Sequence, residues 1–448
     1  MITDELERAG LAKHQPIWGV VLAIALVGWA IYLGNSVPKL PVYLAAGLLI
    51  GYSLTRSRLG FAGGVKRTFY RGESSLVVAL ILLFTITAIV NVGIQWAAAS
   101  HGALPAWEVT NASQSVIPGT QNVRSGNLSV IVGAFLFGMG MIMAGGCASG
   151  TLTDFGEGEG HAWMALPFFV LFAAPGQYLG YQLDQSAIGQ IGITMWLPQY
   201  LGYGGAIAVT LALMLLLYVI VKRYENHKKQ NGAYLPEQGD WLSFEQPLAP
   251  DPGQPTKFFS WRTYHKFFVE RWRFTTGAVG IAVGAIFILV TTGKAWGVTT
   301  AFVTLDQKFF GLFGLEFQSP AFEETAQAMQ GPLLADGGTI RNIGLVLGAC
   351  LAFLMAGRFK MKFKMTGRDF WGYAGGGALM GLGARMAKGC NIGALYSGIT
   401  NFSLHGYLFM IFLILGAMVA IKLFEGRLAL CPLYQDDRTK QTKVVLDE

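Results

Sequence analysis

Two cysteines carry the first chemical signal in this chain. Cys147 and Cys390 each follow a glycine, in the segments Gly138–Gly150 (GMGMIMAGGCASG) and Gly381–Gly393 (GLGARMAKGCNIG). Aligned on the cysteines, six further positions coincide: Gly138/Gly381, Gly140/Gly383, Met143/Met386, Ala144/Ala387, Gly146/Gly389 and Gly150/Gly393. A thiol is a weak hydrogen-bond donor and a soft, polarisable contact. It suits an anion that ends in sulfur better than a hard oxyanion. Beside a cation a thiol also becomes a nucleophile, and Lys388 is two residues from Cys390. A lone cysteine in an apolar run is usually a small buried hydrophobe. The spacings Gly146/Gly150, Gly389/Gly393, Gly372/Gly376 and Gly377/Gly381 likewise fit close helix packing. For the glycines both readings stand; cysteines at matched positions point to function.

Other residues cluster around these motifs. Arg385 and Lys388 lie in the apolar stretch that ends in Cys390, and cations inside a membrane are costly unless paired or functional. Arg385 can hold an anionic ligand or pair with backbone carbonyls at a helix break. Asn391 can donate to a ligand or cap the following helix, and Ser149 and Thr151 raise the same choice. His161 and His405 stand at similar places after the two motifs, while Glu157 and Glu159 read as a solvated turn. Cys350 is a third thiol in an apolar run without a counterpart in the first half, and Cys431, next to Pro432, reads as peripheral. No Cys/His spacing supports a metal site. No catalytic triad, P-loop or dinucleotide fingerprint appears in a credible context, so neither an enzyme nor a cofactor is expected.

The elements that must position these residues are membrane helices. Of 448 residues, 53% are hydrophobic and only 13% charged, about half the charged share of a soluble domain. About twenty apolar residues cross a bilayer. Ten stretches qualify: Ile17–Gly34, Leu40–Leu54, Ser75–Ala98, Leu128–Cys147, Trp163–Leu183, Tyr200–Val221, Thr275–Thr292, Ile340–Ala356, Gly372–Gly389 and His405–Leu423. Ala301–Leu315 is an interfacial or short extra segment. The predicted fold class is an all-α polytopic membrane protein.

Charge sets the expected orientation. Lys and Arg crowd into 56–71, 358–368 and the linker 222–273, whereas 184–199 has neither. Cytoplasmic loops carry such excess, so the net charge of +7 marks membrane orientation and not a nucleic-acid partner. Ten spans then place both termini in the cytoplasm and run the Cys147 and Cys390 spans in opposite directions. That is an inverted repeat, whose Gly-rich broken helices place a site near the midplane. The expected organisation is a first repeat with an N-terminal span (1–221), a Pro-rich cytoplasmic linker (222–273) expected to play no part in selection, a second repeat (274–426) and a cytoplasmic tail (427–448).

The two Gly-Cys segments resemble those of the YeeE/YedE family of sulfur transporters. The stretch Gly381–His405 (GLGARMAKGCNIGALYSGITNFSLH) is close to that family's second signature, and Gly138–Gly150 to its partner signature with Ala-Gly-Gly-Cys. The resemblance covers roughly 40–182 and 273–423. It implies an inner-membrane transporter, most simply for thiosulfate, in which cysteines hand the ion along. A selenium-compound transporter, or a membrane thiol enzyme that moves sulfur between cysteines, are the alternatives. It implies a small cytoplasmic sulfur-carrier protein as partner; with the residues singled out above, the expected substrate contacts are Cys147, Cys390, Gly146, Gly389, Arg385, Lys388, Asn391, Ser149 and Cys350. One position departs: in Arg56-Ser-Arg58-Leu-Gly60-Phe61, Gly60 stands where many relatives carry a further cysteine.

Overall fold

The fold follows from long apolar runs punctuated by glycine. A computed structural model of the chain describes residues 2–430 apart from 112, 233, 237–240, 250–258, 316 and 318. Cys431 and most of the expected tail therefore lie outside the described residues.

The helices that matter here are α1 (Gln15–Ser36), α2 (Leu40–Ser57), α3 (Ser75–Ser100), α4 (Leu128–Ala144), α5 (Ala148–Glu157), α6 (Gly160–Leu171), α7 (Ala173–Gln185), α8 (Leu197–Gln230), α9 (Phe274–Thr292), α10 (Thr299–Gly311), α11 (Gly337–Met355), α12 (Gly367–Met386) and α13 (Leu404–Phe424). A single turn of π-helix, Asn391–Tyr396, and the short helix Ser397–Thr400 separate α12 from α13. The described strand content is one two-residue pair, Ser125–Gly126 with Ile193–Thr194.

Seven helical segments are long and apolar enough to cross a membrane, with α4 and α5 taken together, and the bent pair α6–α7 makes an eighth. The chain is a multi-pass membrane protein. All ten expected stretches are largely helical, but α2 and α12 are not among those seven. Both are rich in glycine and polar residues and are largely buried, so they need not present an apolar surface to lipid. By contrast α1 and α8 expose Ile17, Trp18, Ile24, Leu215 and Leu216, as lipid-facing helices do. α6 and α7 bend by 44° at a break, where the buried Asp306 of α10 accepts a hydrogen bond from Ala174 N (2.8 Å). That satisfies one of the backbone donors freed at the break.

Glycine decides how the centre packs. A Cβ on Gly133 would lie 2.6 Å from Gly383 O, and one on Gly140 would lie 2.6 Å from Gly376 O. α4 and α12 therefore touch backbone to backbone, which any larger residue forbids. Gly377 and Gly381 let α12 approach α6 in the same way, at 2.2 Å from Ala165 O and 2.6 Å from Phe169 O. The helix pairings come in sets: α4 packs on α12 and α2 on α9; α4 packs on α13, and α12 on α6 and α7; α2 packs on α11, and α9 on α3.

The linker is also structured. Arg56 Nη1 donates to Phe268 O (2.6 Å), its Nη2 donates to Glu270 O, and Trp272 N donates to Arg56 O. Buried Glu245 is ion-paired with Arg58 (2.8 Å) and Arg358 (2.5 Å), at the ends of α2 and α11.

Candidate functional site

The two cysteines do not sit inside continuous helices. α4 stops at Ala144 and α12 at Met386, and each cysteine then starts a new helical segment: Cys147 at the head of α5, Cys390 at the head of the π turn. The two connections share their backbone. The residue before each Gly-Cys pair is left-handed, Gly145 at φ 87° and Lys388 at φ 58°. Cys147 O accepts from Thr151 N (2.7 Å), and Cys390 O from Ala394 N (2.8 Å). Gly146 and Gly389 tuck beneath those same donors: an added Cβ would lie 3.2 Å from Thr151 N and 2.5 Å from Ala394 N. The turn leaves no room for a side chain at Gly389 and little at Gly146, and in both cases the neighbours are atoms of the turn's own segment rather than of a packed helix.

Both thiols are buried, at 1% and 0% exposure. Cys147 Sγ and Ser149 Oγ are 3.5 Å apart. Cys390 Sγ accepts from Ile392 N at 3.4 Å, so the thiol itself caps the turn. Asn391, expected as a possible cap, is fully buried; its Nδ2 donates to Met141 Sδ (3.6 Å) and its Oδ1 has no hydrogen-bond partner.

Above this turn lies a cavity of about 860 Å³. Gly389 and Gly393 form part of its wall, with Thr299, Thr300, Thr304, Asn122 and the cations Arg124, Lys294, Arg341, Arg385 and Lys388. Asp336 is the one acidic residue lining it among the described residues. Nothing lies within 4 Å of a Cβ on Gly393, so that glycine borders open space rather than a neighbouring helix.

The arginine foreseen in the motif is held by side chains. Arg385 donates from Nε and Nη2 to Gln177 Oε1 (3.0 and 2.5 Å) and from Nη1 to Thr300 Oγ1 (3.1 Å). These neutral partners fix the orientation of the guanidinium. Lys388 instead forms an ion pair with Asp184 at 2.7 Å. That pairing removes the argument for Lys388 as a cation dedicated to activating Cys390. Of the expected contacts, Arg385, Lys388 and Gly389 are among the cavity's described lining residues, while Gly146, Cys147, Ser149, Cys390, Asn391 and the half-buried Cys350 of α11 are not. His161 Nε2 meets Asp154 Oδ2 at 3.1 Å, and His405 Nδ1 meets Ser403 Oγ at 2.6 Å. The Glu157–Glu159 turn is not freely solvated: Glu159 pairs with Lys362 (3.1 Å), and Lys362 N donates to Gly158 O. No metal-holding cluster of His, Cys, Asp or Glu occurs among the described residues.

Two participants were not singled out from the sequence. Gln177 orients Arg385, and Arg341 of α11 lines the cavity together with Gly389 and Gly393. The profile of the family described as Sulphur transport matches residues 56–419. The chain belongs to the sulphur transport family. Among its relatives, the thiosulfate transporter TsuA of Spirochaeta thermophila is 27% identical over 293 residues, covering 64% of this chain and 74% of the relative. The thiosulfate transporter TsuA of Escherichia coli is 24% identical over 397 residues, covering 84% of this chain and 92% of the relative. A transporter family and transporter relatives leave the membrane thiol enzyme without support.

Proposed function

We propose that this protein carries thiosulfate across the inner membrane, through a pathway that narrows where the two Gly-Cys turns meet. The observation that carries this is the cationic cavity whose wall includes Gly389 and Gly393, the residues flanking the buried Cys390 turn. Fixed cations gather an anion. Backbone N–H groups at the start of a helical segment offer partial positive charge. The thiols offer soft contacts to a terminal sulfur. Thiosulfate has both an oxyanion face and a terminal sulfur.

The mirrored contacts support two repeats related by a pseudo-two-fold axis. Exchanging residues 243 apart turns the Gly133–Gly383 contact into Gly376–Gly140, and the helix pairings exchange likewise. With basic loops inside, the repeats are inverted and both termini are cytoplasmic. The cation-lined cavity then faces outward. The anion passes Cys390 and then Cys147, and a small sulfur-carrier protein accepts it inside.

Uptake of radiolabelled thiosulfate, in a host lacking its own uptake systems, tests this reading. Sulfate, sulfite and selenite serve as competitors. Saturable uptake that excess unlabelled thiosulfate abolishes and sulfate weakly inhibits is expected. Uptake of selenite in preference to thiosulfate would move the assignment to selenium compounds, and no uptake of either would refute it.

A further inference from the structure

Arg341 is 7% exposed and belongs to α11, a helix of the apolar core. A guanidinium carries five N–H donors and no acceptor. Among the described residues this one makes a single hydrogen bond, from Nη2 to Gly297 O. Its buried Nε has no partner, and the described ion pairs include none to Arg341. The guanidinium lies 5.9 Å from the centroid of the Tyr43 ring. The nearby acid, Asp336, is not hydrogen-bonded to Arg341 among the described contacts: its Oδ2 accepts from Thr339 N (2.7 Å) and Thr339 Oγ1 (2.8 Å), capping α11. A buried cation with donors to spare, in a wall of the cavity, is costly unless something anionic visits it.

Its surroundings say what that visitor is. Arg341 lines the same cavity as Gly389 and Gly393, which stand on either side of Cys390 in the second turn. Gly337 and Gly338, the first residues of α11, also line the cavity, so the positive end of that helix faces the same space. A fork of donors matches two oxygens of one oxyanion group, while the thiol matches a soft terminus.

We propose that Arg341 binds the oxyanion end of the substrate while Cys390 receives its terminal sulfur, so that the ion is read at two points and enters in a set orientation. The proposal rests on the thiosulfate reading above and adds the residue and the polarity. Gly297 O alone, as a structural anchor for the loop before α10, would need neither the spare donors nor the cavity.

The test uses the full-length protein in proteoliposomes, with wild type, Arg341→Gln, Arg341→Lys and Cys390→Ala. Expected for Arg341→Gln is a rise in the thiosulfate KM of about 10- to 150-fold, the range for a charge-assisted hydrogen bond, with maximal rate changed far less. Inhibition by sulfate, which has oxygens but no sulfur terminus, weakens by a similar factor. Arg341→Lys, which keeps the charge and loses the fork, lies between. Cys390→Ala raises the thiosulfate KM but leaves sulfate inhibition as in wild type. If both Arg341 variants keep the wild-type KM, or if Arg341→Gln weakens thiosulfate and leaves sulfate inhibition intact, the assignment is overturned. If Arg341→Gln does not fold, Arg341→Lys alone decides through its KM. Failure of wild type to transport thiosulfate would refute the underlying reading and is seen in the wild-type arm itself.

Discussion

Lys388 repeats the left-handed backbone of Gly145, 243 residues away, at φ 58° against 87°. A side chain in that region costs about 1–2 kcal/mol, which glycine avoids. The second motif accepts this cost for a cavity-lining lysine whose ammonium pairs with Asp184. Lys388→Gly should therefore keep thermal stability within about 1 kcal/mol of wild type, since relieved strain offsets the lost ion pair. Lys388→Val, which loses the pair and is β-branched, should destabilise by a further 1–2 kcal/mol or so. Thermal unfolding of the two purified variants checks this. Equal destabilisation would mean that strain at position 388 is negligible.

The contact between α4 and α12 makes a sharper prediction about folding. A methyl group on Gly383 would lie 2.5 Å from both Gly133 O and Phe137 N. Two helix backbones must then separate, which costs of the order of 1–3 kcal/mol or more. Gly383→Ala should lose most monodisperse protein on size exclusion. Gly93→Ala, where nothing lies within 4 Å, should behave as wild type.

The sequence made some of this legible and hid the rest, for physical reasons. Spans, basic loops and the paired cysteines are local patterns, and one period or one motif suffices to find them. The Gly146 and Gly389 turns followed from the same repeat. The site around Arg385 did not, because Gln177, Thr300 and Arg341 come from three different helices and meet only through packing. One signal was present for Arg341, a cation inside the apolar run 340–356. The rule used for Arg385, that a cation within a span is functional or paired, reaches Arg341 as well. The packing of the linker was not legible either: Pro and charge mark a junction between the halves, but nothing local shows that Glu245 is buried between two arginines.

That linker contact gives a pH prediction. Burial raises the Glu245 pKa, but Arg58 and Arg358 outweigh it and hold the carboxyl below the usual glutamate value. The folded protein thus binds the proton less tightly than the unfolded chain. The stabilisation is complete above about pH 5 and is lost as pH falls through and below the ordinary carboxylate range. Glu245→Gln should destabilise by about 1–3 kcal/mol at pH 7, less if the partly exposed Arg58 contributes little. The difference from wild type should shrink toward pH 4. A difference that is constant from pH 7 to pH 4 would show that the ion pairs contribute no pH-dependent stability.

The central claim is that the two buried thiols line the route of the ion, and uptake by single alanine variants tests it most directly. Cys147 and Cys390 head the two matched turns, Cys390 between the cavity-lining Gly389 and Gly393, whereas Cys350 lies within α11 and belongs to neither turn. Alanine removes the thiol with little change in volume, so folding should survive. A lost contact to a charged, desolvated ligand is worth about 1–3 kcal/mol, or about 5- to 150-fold in affinity. Initial rates of labelled thiosulfate uptake, normalised to membrane-inserted protein, should fall by that order in Cys147→Ala and in Cys390→Ala and stay near wild type in Cys350→Ala. Wild-type rates in both Cys147→Ala and Cys390→Ala, at normal expression, would contradict the account and move the site to the arginines of the cavity.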